Sequence, residues 1–465
     1  MTTTRNPGTG QANQGPQPPK RPTRPAGNPP AARRTPPAAG ADQPAASRPS
    51  TITVGVRKIF AAETGNFFLL LGTTLFLVVF GLVMVLSSSS VESHLESNDF
   101  FASFSRQGLF ALIGVPVMLF ASRMPISFWK RWAWPAIALG VGLQLLVFTP
   151  LGWGYGGNQN WIKIAGFTAQ PSELLKLALI VWVASVLVSK QHLLADWKHV
   201  LLPIGPVAGL AIGLVLVGND LGTAVIMLSI VLGALFFAGI KLRFLALAVG
   251  VLSFFGLVIA FASSSRTERI GAWINGCTPE QYENFCWQPT HGLWALASGG
   301  IFGVGLGNSK AKWSWLPEAD NDYIFAIIGE ELGLIGAIVV LALFIVLALS
   351  FVRILRANSD PFARIVTAGV GIWVIGQALV NIAVVLGVLP VLGVPLPLTS
   401  AGGTALISTL LAIGVVLSFA REHPAPADGP DPSTRSDRPV EQTPAERSRL
   451  AAAQRARPVR ERRTS

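Results

Sequence analysis

Three carboxylates stand close together at Glu318, Asp320 and Asp322, and an apolar segment of membrane-spanning length, 323–350, follows directly. Asp322 therefore lies where a helix is expected to enter a bilayer, with low dielectric on one side and water on the other. Such a setting raises the pKa of a carboxylate and makes it a better general base. The alternative is that Asp322 caps the N-terminus of the helix, where negative charge is favoured.

Other ionisable residues lie within or beside apolar segments, where their cost makes each a candidate for function. Glu173 and Lys176, at i and i+3 in Q-P-S-E-L-L-K, either form a local ion pair or direct Lys176 into a cavity toward a phosphate. Asp220, in N-D-L-G-T-A, is also a good helix cap, so it indicates little by itself. Gly402 and Gly403 open the last apolar segment, where their bare N–H groups could meet an anion.

A long polar region, about residues 264–322, interrupts the apolar segments. Loops of this length are usually functional in compact proteins. The region carries Arg266 and Arg269, then a glycine-rich stretch followed by Lys310 and Lys312. Glycines beside lysines suggest either a phosphate cradle or a loop kept thin for a wide substrate.

The composition is that of a polytopic membrane protein: of 465 residues, 51% are hydrophobic and 13% charged, and the mean hydropathy is +0.52. The net charge of +12 comes largely from arginine-rich tails and suggests apposition to an anionic leaflet. Nucleic acid is not an expected partner, because no folded basic domain is visible. The sequence shows no His/Cys metal spacing, and no organic cofactor is expected.

Ten apolar segments are each about long enough to cross a hydrocarbon core as a helix. They lie at roughly 67–88, 105–122, 132–150, 173–190, 200–217, 221–240, 243–263, 323–350, 363–388 and 404–420. Lys and Arg concentrate in alternate loops, which by the positive-inside rule places both termini in the cytoplasm. The long region is then extracytoplasmic, where a disulfide between Cys277 and Cys286 is favoured over two free thiols.

Two tails flank the predicted membrane domain, which spans residues 65–421. Residues 1–64 are rich in Pro and Arg, cannot bury a core and are expected to be disordered, with a stretch at 52–64 compatible with a short interfacial helix. Residues 422–465 are likewise expected to form a disordered cytoplasmic tail. Either tail could dock other proteins.

The stretch L-P-E-A-D-N-D-Y-I-F-A-I-I-G-E-E-L-G around Asp322 resembles the signature of the SEDS family of cell-wall polymerases, usually L-P-E-A-H-T-D-F-I-F-A-I-I-G-E-E-L-G. Asp322 matches the family's essential aspartate, whereas Asp320 and Asn321 replace its His-Thr. Four further stretches resemble motifs of the family and occur in the correct order, namely Q-P-S-E-L-L-K, N-D-L-G-T-A, R-T-E-R-I and P-L-P-L-T-S-A-G-G-T. The resemblance covers about residues 65–420 and favours an actinobacterial-like member of the FtsW branch.

This resemblance implies an all-α fold of about ten membrane helices and a glycosyl transfer that polymerises lipid II into β-1,4 glycan strands during cell division. The 4-hydroxyl of an acceptor GlcNAc attacks C1 of a donor MurNAc with inversion, which needs one base, and Asp322 is the candidate. The departing diphosphate needs charge stabilisation. The candidates for it are Lys163, Lys176, Arg266, Arg269 and Lys312, together with a divalent cation, Mg²⁺ or Mn²⁺. The same substrate site is expected to include Glu173, Asp220, Glu318 and Gly402.

The resemblance also implies partners and a location. A class B penicillin-binding protein is the expected transpeptidase partner, other division proteins are expected to bind the cytoplasmic tails, and membrane lipids surround the helices. The expected location is the plasma membrane at the division septum. Two alternatives remain open, a lipid II flippase and a non-catalytic scaffold. A flippase needs charges distributed through the bilayer, whereas a polymerase needs its base at the outer face.

Overall fold

The computed structural model describes residues 64–421, apart from 156–157, 165–166, 194–195, 262–263 and 314. The tails predicted at 1–64 and 422–465, and the interfacial helix predicted at 52–64, lie outside the described residues except for Thr64. The helices of the described residues are α1 (Gly65–Ser97), α2 (Ala102–Ala121), α3 (Ile126–Leu145), α4 (Pro171–Ser189), α5 (Trp197–Val217), α6 (Leu221–Phe237), α7 (Leu242–Phe261), α8 (Ser264–Asn275), α9 (Pro279–Tyr282), α10 (Trp287–Gly299), α11 (Ile324–Ala357), α12 (Pro361–Val385) and α13 (Gly403–Phe419).

Ten of these helices correspond to the ten predicted apolar segments, and most of their ends agree within a few residues. Within the described ranges, seven have the length and hydropathy of a membrane span, and α6, α7 and α13 are shorter apolar helices. The chain is therefore a multi-pass membrane protein, and the prediction of an all-α polytopic fold is confirmed. The remaining helices, α8 to α10, belong to the long polar region.

Local sequence signals set several helix starts. The side chains of Thr64, Asp196 and Asp360 each accept a hydrogen bond from a backbone N–H in the first turn of α1, α5 and α12. Such caps satisfy N–H groups that have no partner inside the helix. Pro171 and Pro361 occupy the first turns of α4 and α12, where a missing N–H costs nothing.

Helices α4 and α12 form the centre of the bundle. Nearly every residue of α4 is buried, and it packs against α3, α6 and α12. Trp182 of α4 and Trp373 of α12 are fully buried. Around this centre α13 packs on α2, and α11 packs on α1 and α12. The ionisable and amide side chains of the two central helices are thereby withdrawn from lipid.

A small antiparallel sheet connects α3 to α4, with the strand order β1 (Gly152–Tyr155), β2 (Asn158–Ile164) and β3 (Phe167–Ala169). The sequence analysis did not predict it. Strand β2 alternates, because Asn160 and Ile162 are buried whereas Gln159 and Lys163 are exposed. Strands this short, separated by glycines, give a weak sequence signal.

Alternate connections between membrane helices converge at one end of the bundle. The sheet, the turn at 218–220, the long polar region and the connection at 386–402 are hydrogen-bonded to one another there. The bonds include Gln159 N to Gly218 O (2.9 Å), Gln170 N to Thr404 Oγ1 (3.1 Å) and Trp273 Nε1 to Gly387 O (2.9 Å). This convergence builds the candidate site.

Helix α11 is interrupted at Gly333, which has φ 68° and ψ −167°. The sequence analysis treated this segment as one continuous span. At the interruption, the stretch of the long polar region from 300 to 305 crosses the helix and completes the hydrogen bonds that the break leaves open. These bonds run from Val304 N to Glu330 O (3.0 Å), from Gly305 N to Glu331 O (3.0 Å), from Leu334 N to Gly300 O (2.9 Å) and from Ile335 N to Ile301 O (3.3 Å).

Two glycines make this crossing sterically possible. A Cβ on Gly303 would collide with the backbone of Glu331, and a Cβ on Gly333 would collide with the backbone of Ile301. Both glycines also have positive φ, which other residues adopt at a cost. The first part of α11, residues 324–332, is therefore a separate and largely buried half-helix, and 334–357 forms the lipid-facing part.

Candidate functional site

The residues 318–322, called here the acidic loop, lead into α11 and are held by their backbone. Three consecutive carbonyls of this loop accept hydrogen bonds from elsewhere in the fold. Asp320 O accepts from Ala401 N (2.9 Å), Asn321 O accepts from Ser400 Oγ (2.7 Å) and Asp322 O accepts from Asn381 Nδ2 (2.7 Å). Position and direction of the loop are thus fixed without using the carboxylate of Asp322.

The connection at 386–402, called here the proline-rich segment, is the support for the acidic loop. Side chains of α12 hold it, because Gln377 Nε2 donates to Pro395 O (3.0 Å) and Asn381 Nδ2 donates to Val394 O (2.7 Å). Buried carbonyls need such partners when a helix cannot supply them. The amide of Gln377 also makes an interhelical hydrogen bond, because its Oε1 accepts from Lys176 Nζ of α4 (2.9 Å).

The carboxylate of Asp322 is half-buried and makes no hydrogen bond or ion pair with any residue that the structure describes. It lies against Gly393 of the proline-rich segment, where a Cβ would come within 3.6 Å of Oδ2. Burial, reinforced by the negative charges of Glu318, Asp220 and Asp320, raises the pKa of Asp322 to about 7. A carboxyl group with that pKa is suited to accept a proton near neutral pH.

The cap alternative for Asp322 does not match the geometry. The N-cap position of α11 is Tyr323, which is fully buried, and no side chain caps the helix there. Burial, and the neighbouring charge of Asp322, raise the pKa of the Tyr323 hydroxyl. The Asp322 carboxylate therefore does not accept hydrogen bonds from the first-turn N–H groups of α11.

Asp220 behaves as both a cap and a member of the site. Its Oδ1 accepts from Thr223 N (2.8 Å) at the start of α6, and its Oδ2 accepts from Gln170 Nε2 (3.3 Å). Burial raises the pKa of Asp220 in spite of these bonds. Its charge acts on Asp322, so the two aspartates are neighbours in one electrostatic cluster.

Lys176 and Glu173 form the local ion pair that was one of the two sequence interpretations. Lys176 Nζ donates to Glu173 Oε1 (2.8 Å) and to Gln377 Oε1 (2.9 Å), and it lies 4.6 Å from the ring centroid of Trp373. Both ionic side chains are nearly inaccessible. The expectation that Lys176 reaches a phosphate therefore has to be corrected for this conformation, because all of its donors face protein.

Lys312 is likewise engaged with protein. Its Nζ donates to Gly307 O (2.5 Å) and Ser87 O (3.3 Å) and lies 3.7 Å from a carboxylate oxygen of Glu331. Because Lys312 is also buried, it does not present a free cation to a substrate. Its role as a phosphate ligand, expected from the glycine-lysine pattern, is replaced by a structural one.

Glu330 and Glu331, called here the acidic pair, were quoted in the sequence motif but given no role. Both are buried in the half-helix of α11. Glu331 accepts from Ser87 Oγ (2.6 Å). Glu330 accepts from Ser309 Oγ (2.5 Å), Lys310 N (3.0 Å), Ala311 N (3.3 Å) and Ser298 Oγ (3.3 Å). Two adjacent glutamates inside an apolar run were the available signal for a buried polar cluster.

Arg266 and Arg269 lie on α8 at the rim of the site. Arg266 Nη2 donates to Asn219 O (3.4 Å), in the turn that precedes Asp220. Arg269 lies over the ring of Phe285, and its charge acts on the hydroxyl of Tyr323. Both guanidinium groups are only partly buried, so this rim is the cationic part of the site that a substrate can approach.

The remaining predicted site residues are spread more widely. Glu318 has a positive φ and its Oε2 accepts from Asn321 Nδ2 (3.2 Å), within the acidic loop. Gly402 lies at the N-cap of α13 and lines a cavity of about 10 Å³ together with Gln377 and Pro395. Lys163 is exposed on β2, away from the buried cluster of Lys176.

A protein-built cation site is not present among the described residues, where no three carboxylate, histidine or cysteine side chains converge. The expected Mg²⁺ or Mn²⁺ therefore does not fit a ready-made set of ligands. The long polar region does carry a disulfide in the structure, between Cys277 and Cys286, which joins the start of α9 to the start of α10.

Comparisons with known proteins agree with this architecture. A family model described as "Cell cycle protein" and named for FtsW, RodA and SpoVE matches residues 68–424. The probable peptidoglycan glycosyltransferase FtsW of Mycobacterium tuberculosis is 38% identical over 360 residues, which cover 77% of this chain and 68% of that protein. The stage V sporulation protein E of Bacillus subtilis is 35% identical over 363 residues, covering 77% and 98%.

Solved structures support the fold. A chain from work titled "Structural coordination of polymerization and crosslinking by a peptidoglycan synthase complex" superposes with a TM-score of 0.63 at 23% identity, covering 76% of this chain and 96% of that one. The rod shape determining protein RodA of Thermus thermophilus gives a TM-score of 0.58 at 23% identity, covering 79% and 99%. At this identity the likeness supports the fold alone.

Proposed function

Because this chain belongs to the family of cell cycle proteins that includes FtsW, RodA and SpoVE, we propose that it is a peptidoglycan glycosyltransferase that polymerises lipid II during cell division. The observation that carries the proposal is Asp322. Its backbone is held by the proline-rich segment, its carboxylate has no protein partner among the described residues, and its pKa is raised to about 7.

In the proposed reaction the acceptor 4-hydroxyl attacks C1 of the donor sugar and transfers its proton to the Asp322 carboxylate. The bond from C1 to the diphosphate oxygen breaks as the new glycosidic bond forms. Undecaprenyl diphosphate leaves with that electron pair. A single in-line displacement of this kind inverts C1 and needs one base on the side of the attacking hydroxyl.

The arginines of α8 are the candidates for stabilising the leaving diphosphate. Arg266 lies beside the turn that leads to Asp220, and Arg269 lies near Tyr323, next to the proposed base. Cationic donors aimed at developing charge are among the larger contributions to catalysis. The buried Lys176 and Lys312 act instead by holding the protein framework, because their donors are occupied. No step is assigned to a divalent cation.

The orientation proposed here places the acidic loop outside the cell and both termini in the cytoplasm. Loop charge supports it, because every connection between helices at the end opposite the acidic loop contains or adjoins Lys or Arg, as at Arg123, Lys190 and Lys241. A class B penicillin-binding protein is the proposed partner and the division septum the proposed location. The similar peptidoglycan synthase complex, described as coordinating polymerization and crosslinking, supports the partner, and the description of the family as cell cycle proteins supports the location.

The test is to reconstitute the full-length protein in lipid nanodiscs with lipid II, with and without the class B penicillin-binding protein. The expected result is consumption of lipid II and formation of glycan strands, resolved by gel electrophoresis. Intact lipid II in both reactions would overturn the proposal. A parallel vesicle assay for movement of lipid II across the bilayer distinguishes the flippase, which moves lipid II without consuming it.

A further inference from the structure

Residues 299–308, called here the glycine-rich loop, expose an unusual set of apolar side chains. Ile301 is 60% exposed, Phe302 81%, Val304 38% and Leu306 55%. Scattered exposed apolar residues are ordinary, but four within six positions of a connection form a contiguous patch. In water such a patch would forgo the free energy that is gained when large apolar side chains are buried.

The depth of this loop follows from its crossing with α11. Its backbone is hydrogen-bonded to Glu330, Glu331, Leu334 and Ile335, on both sides of the helix break. From Leu334 to Arg353 the helix rises about 30 Å, at ~1.5 Å per residue, which equals the thickness of a hydrocarbon core. With Arg353 at the opposite membrane face, the crossing lies at the hydrocarbon boundary nearer the acidic loop.

The neighbouring surface of α11 supports this depth. Leu334, Ile335 and Ile338 follow the break on the helix and are each about half exposed, as side chains that face lipid are. The patch of the glycine-rich loop adjoins them through the bonds to Leu334 N and Ile335 N. Exposed tryptophans at 313 and 315 come next in the chain, and tryptophan is enriched at the membrane–water interface.

The polar groups of the loop are arranged so that it can enter an apolar medium. Irregular backbone is tolerated at membrane depth only where its N–H and C=O groups have partners. Here Gly303 N donates to Gly299 O (2.8 Å), Gly307 N donates to Ser87 Oγ (3.1 Å), and Gly307 O accepts from Lys312 Nζ. Of the charged side chains nearby, those of Lys312 and the acidic pair are buried toward the protein, and that of Lys310 is exposed just beyond the end of the loop.

We infer that the glycine-rich loop inserts its apolar side chains into the hydrocarbon of the outer leaflet, in the orientation proposed above, and so acts as a lipid-binding anchor. The partner of this apolar patch is the lipid of the bilayer. The loop continues into residues 309–317 and then into the acidic loop. Anchoring one end of this connection therefore fixes the height of Asp322 above the membrane surface.

The test uses site-directed spin labelling, for which the chain is well suited because both cysteines of the sequence are joined in a disulfide. Phe302→Cys places a label at the most exposed position of the patch. Ile338→Cys, on the lipid-facing side of α11, gives the lipid reference, and Lys310→Cys, at an exposed position just beyond the glycine-rich loop, gives the aqueous reference. Each full-length variant is reconstituted in nanodiscs, and label accessibility to oxygen and to a water-soluble nickel chelate is measured.

The expected result is that the label at 302 collides with oxygen as the label at 338 does and is protected from the nickel chelate. Accessibility to nickel equal to that at 310 would overturn the inference. Protection from both reagents would also overturn it, because it would show that protein rather than lipid covers the patch. Because no activity is measured, the result is independent of whether the protein polymerises lipid II.

Discussion

The acidic loop and the acidic pair place carboxylates at the two ends of one half-helix, and these carboxylates differ in their hydrogen-bond partners. Asp322 is held through its backbone carbonyl, while its side chain has no partner among the described residues. Glu330 is held through its side chain, which accepts four hydrogen bonds. One carboxylate is kept available for a proton, and the other is saturated with donors.

This difference shows how a buried acid is assigned to chemistry or to architecture. A carboxylate that accepts several N–H and O–H bonds has no free lone pair for a substrate. A carboxylate that lacks such donors titrates at higher pH and can accept a proton from a bound hydroxyl. Burial alone does not distinguish the two cases, whereas the set of hydrogen-bond partners does.

The largest effect is expected for Asp322→Asn, which removes the proton acceptor and leaves the backbone anchors in place. Polymerisation of lipid II should fall by about 10²–10⁴-fold, the usual contribution of a general base. The measurement is lipid II consumption by the purified variant in nanodiscs. Asp320→Asn is the matched control and should retain most activity. If Asp320→Asn is inactive and Asp322→Asn is active, the base has been assigned to the wrong aspartate.

The second prediction concerns Glu330, whose carboxylate accepts four hydrogen bonds. Glu330→Ala leaves the donors of Ser298, Ser309, Lys310 and Ala311 without their acceptor in a buried site. The variant should lose stability, because each buried donor left unsatisfied costs about 1–3 kcal/mol.

This loss should appear as a lower apparent melting temperature in detergent, measured by intrinsic fluorescence. Glu318→Ala, which removes a carboxylate from the acidic loop that accepts one hydrogen bond within it, is the control and should melt within a few degrees of the wild type. Equal destabilisation by both substitutions would remove the distinction between the two regions.

The sequence anticipated the ten membrane helices because a long apolar run must become a helix in lipid, whatever surrounds it. It did not anticipate the break at Gly333, since a single glycine is tolerated inside a helix and the break depends on a loop some 30 residues upstream. Motif resemblance indicated Asp322. The ion pair of Lys176 with Glu173 was one of the two interpretations of the sequence. The bonds of Lys176 to Gln377 and of Lys312 to Ser87 were not readable, because those partners lie far away in the chain.

The third prediction uses the cause of the raised pKa. Because the base must be ionised, the rate should rise with pH through a midpoint near 7, where half of the Asp322 carboxyl groups are deprotonated. Among the neighbouring carboxylates, Glu318 repels the charge of Asp322 most strongly. Glu318→Gln removes this repulsion and should move the midpoint to lower pH by a fraction of a pH unit. The measurement is initial rate against pH for both proteins. An unchanged midpoint would show that another group controls the profile.

The smallest effect is expected on stability. The folded-state pKa of Asp322 lies above its unfolded value, so ionisation disfavours folding, and the penalty grows as pH rises from about 4 to about 7. Asp322→Asn should therefore melt at a slightly higher temperature than the wild type at pH 8 and at nearly the same temperature at pH 4. A lower melting temperature at pH 8 would show that the carboxylate supports the fold.

The three carbonyl anchors of the acidic loop have a consequence for how this loop can change during evolution. Every residue brings the same backbone carbonyl, so these anchors do not depend on which side chains stand at positions 320 and 321. Particular side chains are needed instead at Asn381 and Ser400, which supply two of the three hydrogen-bond donors to these carbonyls. The carbonyl anchors are therefore compatible with Asp320 and Asn321 in place of the His-Thr of the family signature that this stretch resembles. Sequence drift is thereby permitted beside Asp322 and restricted at positions distant from it in the chain.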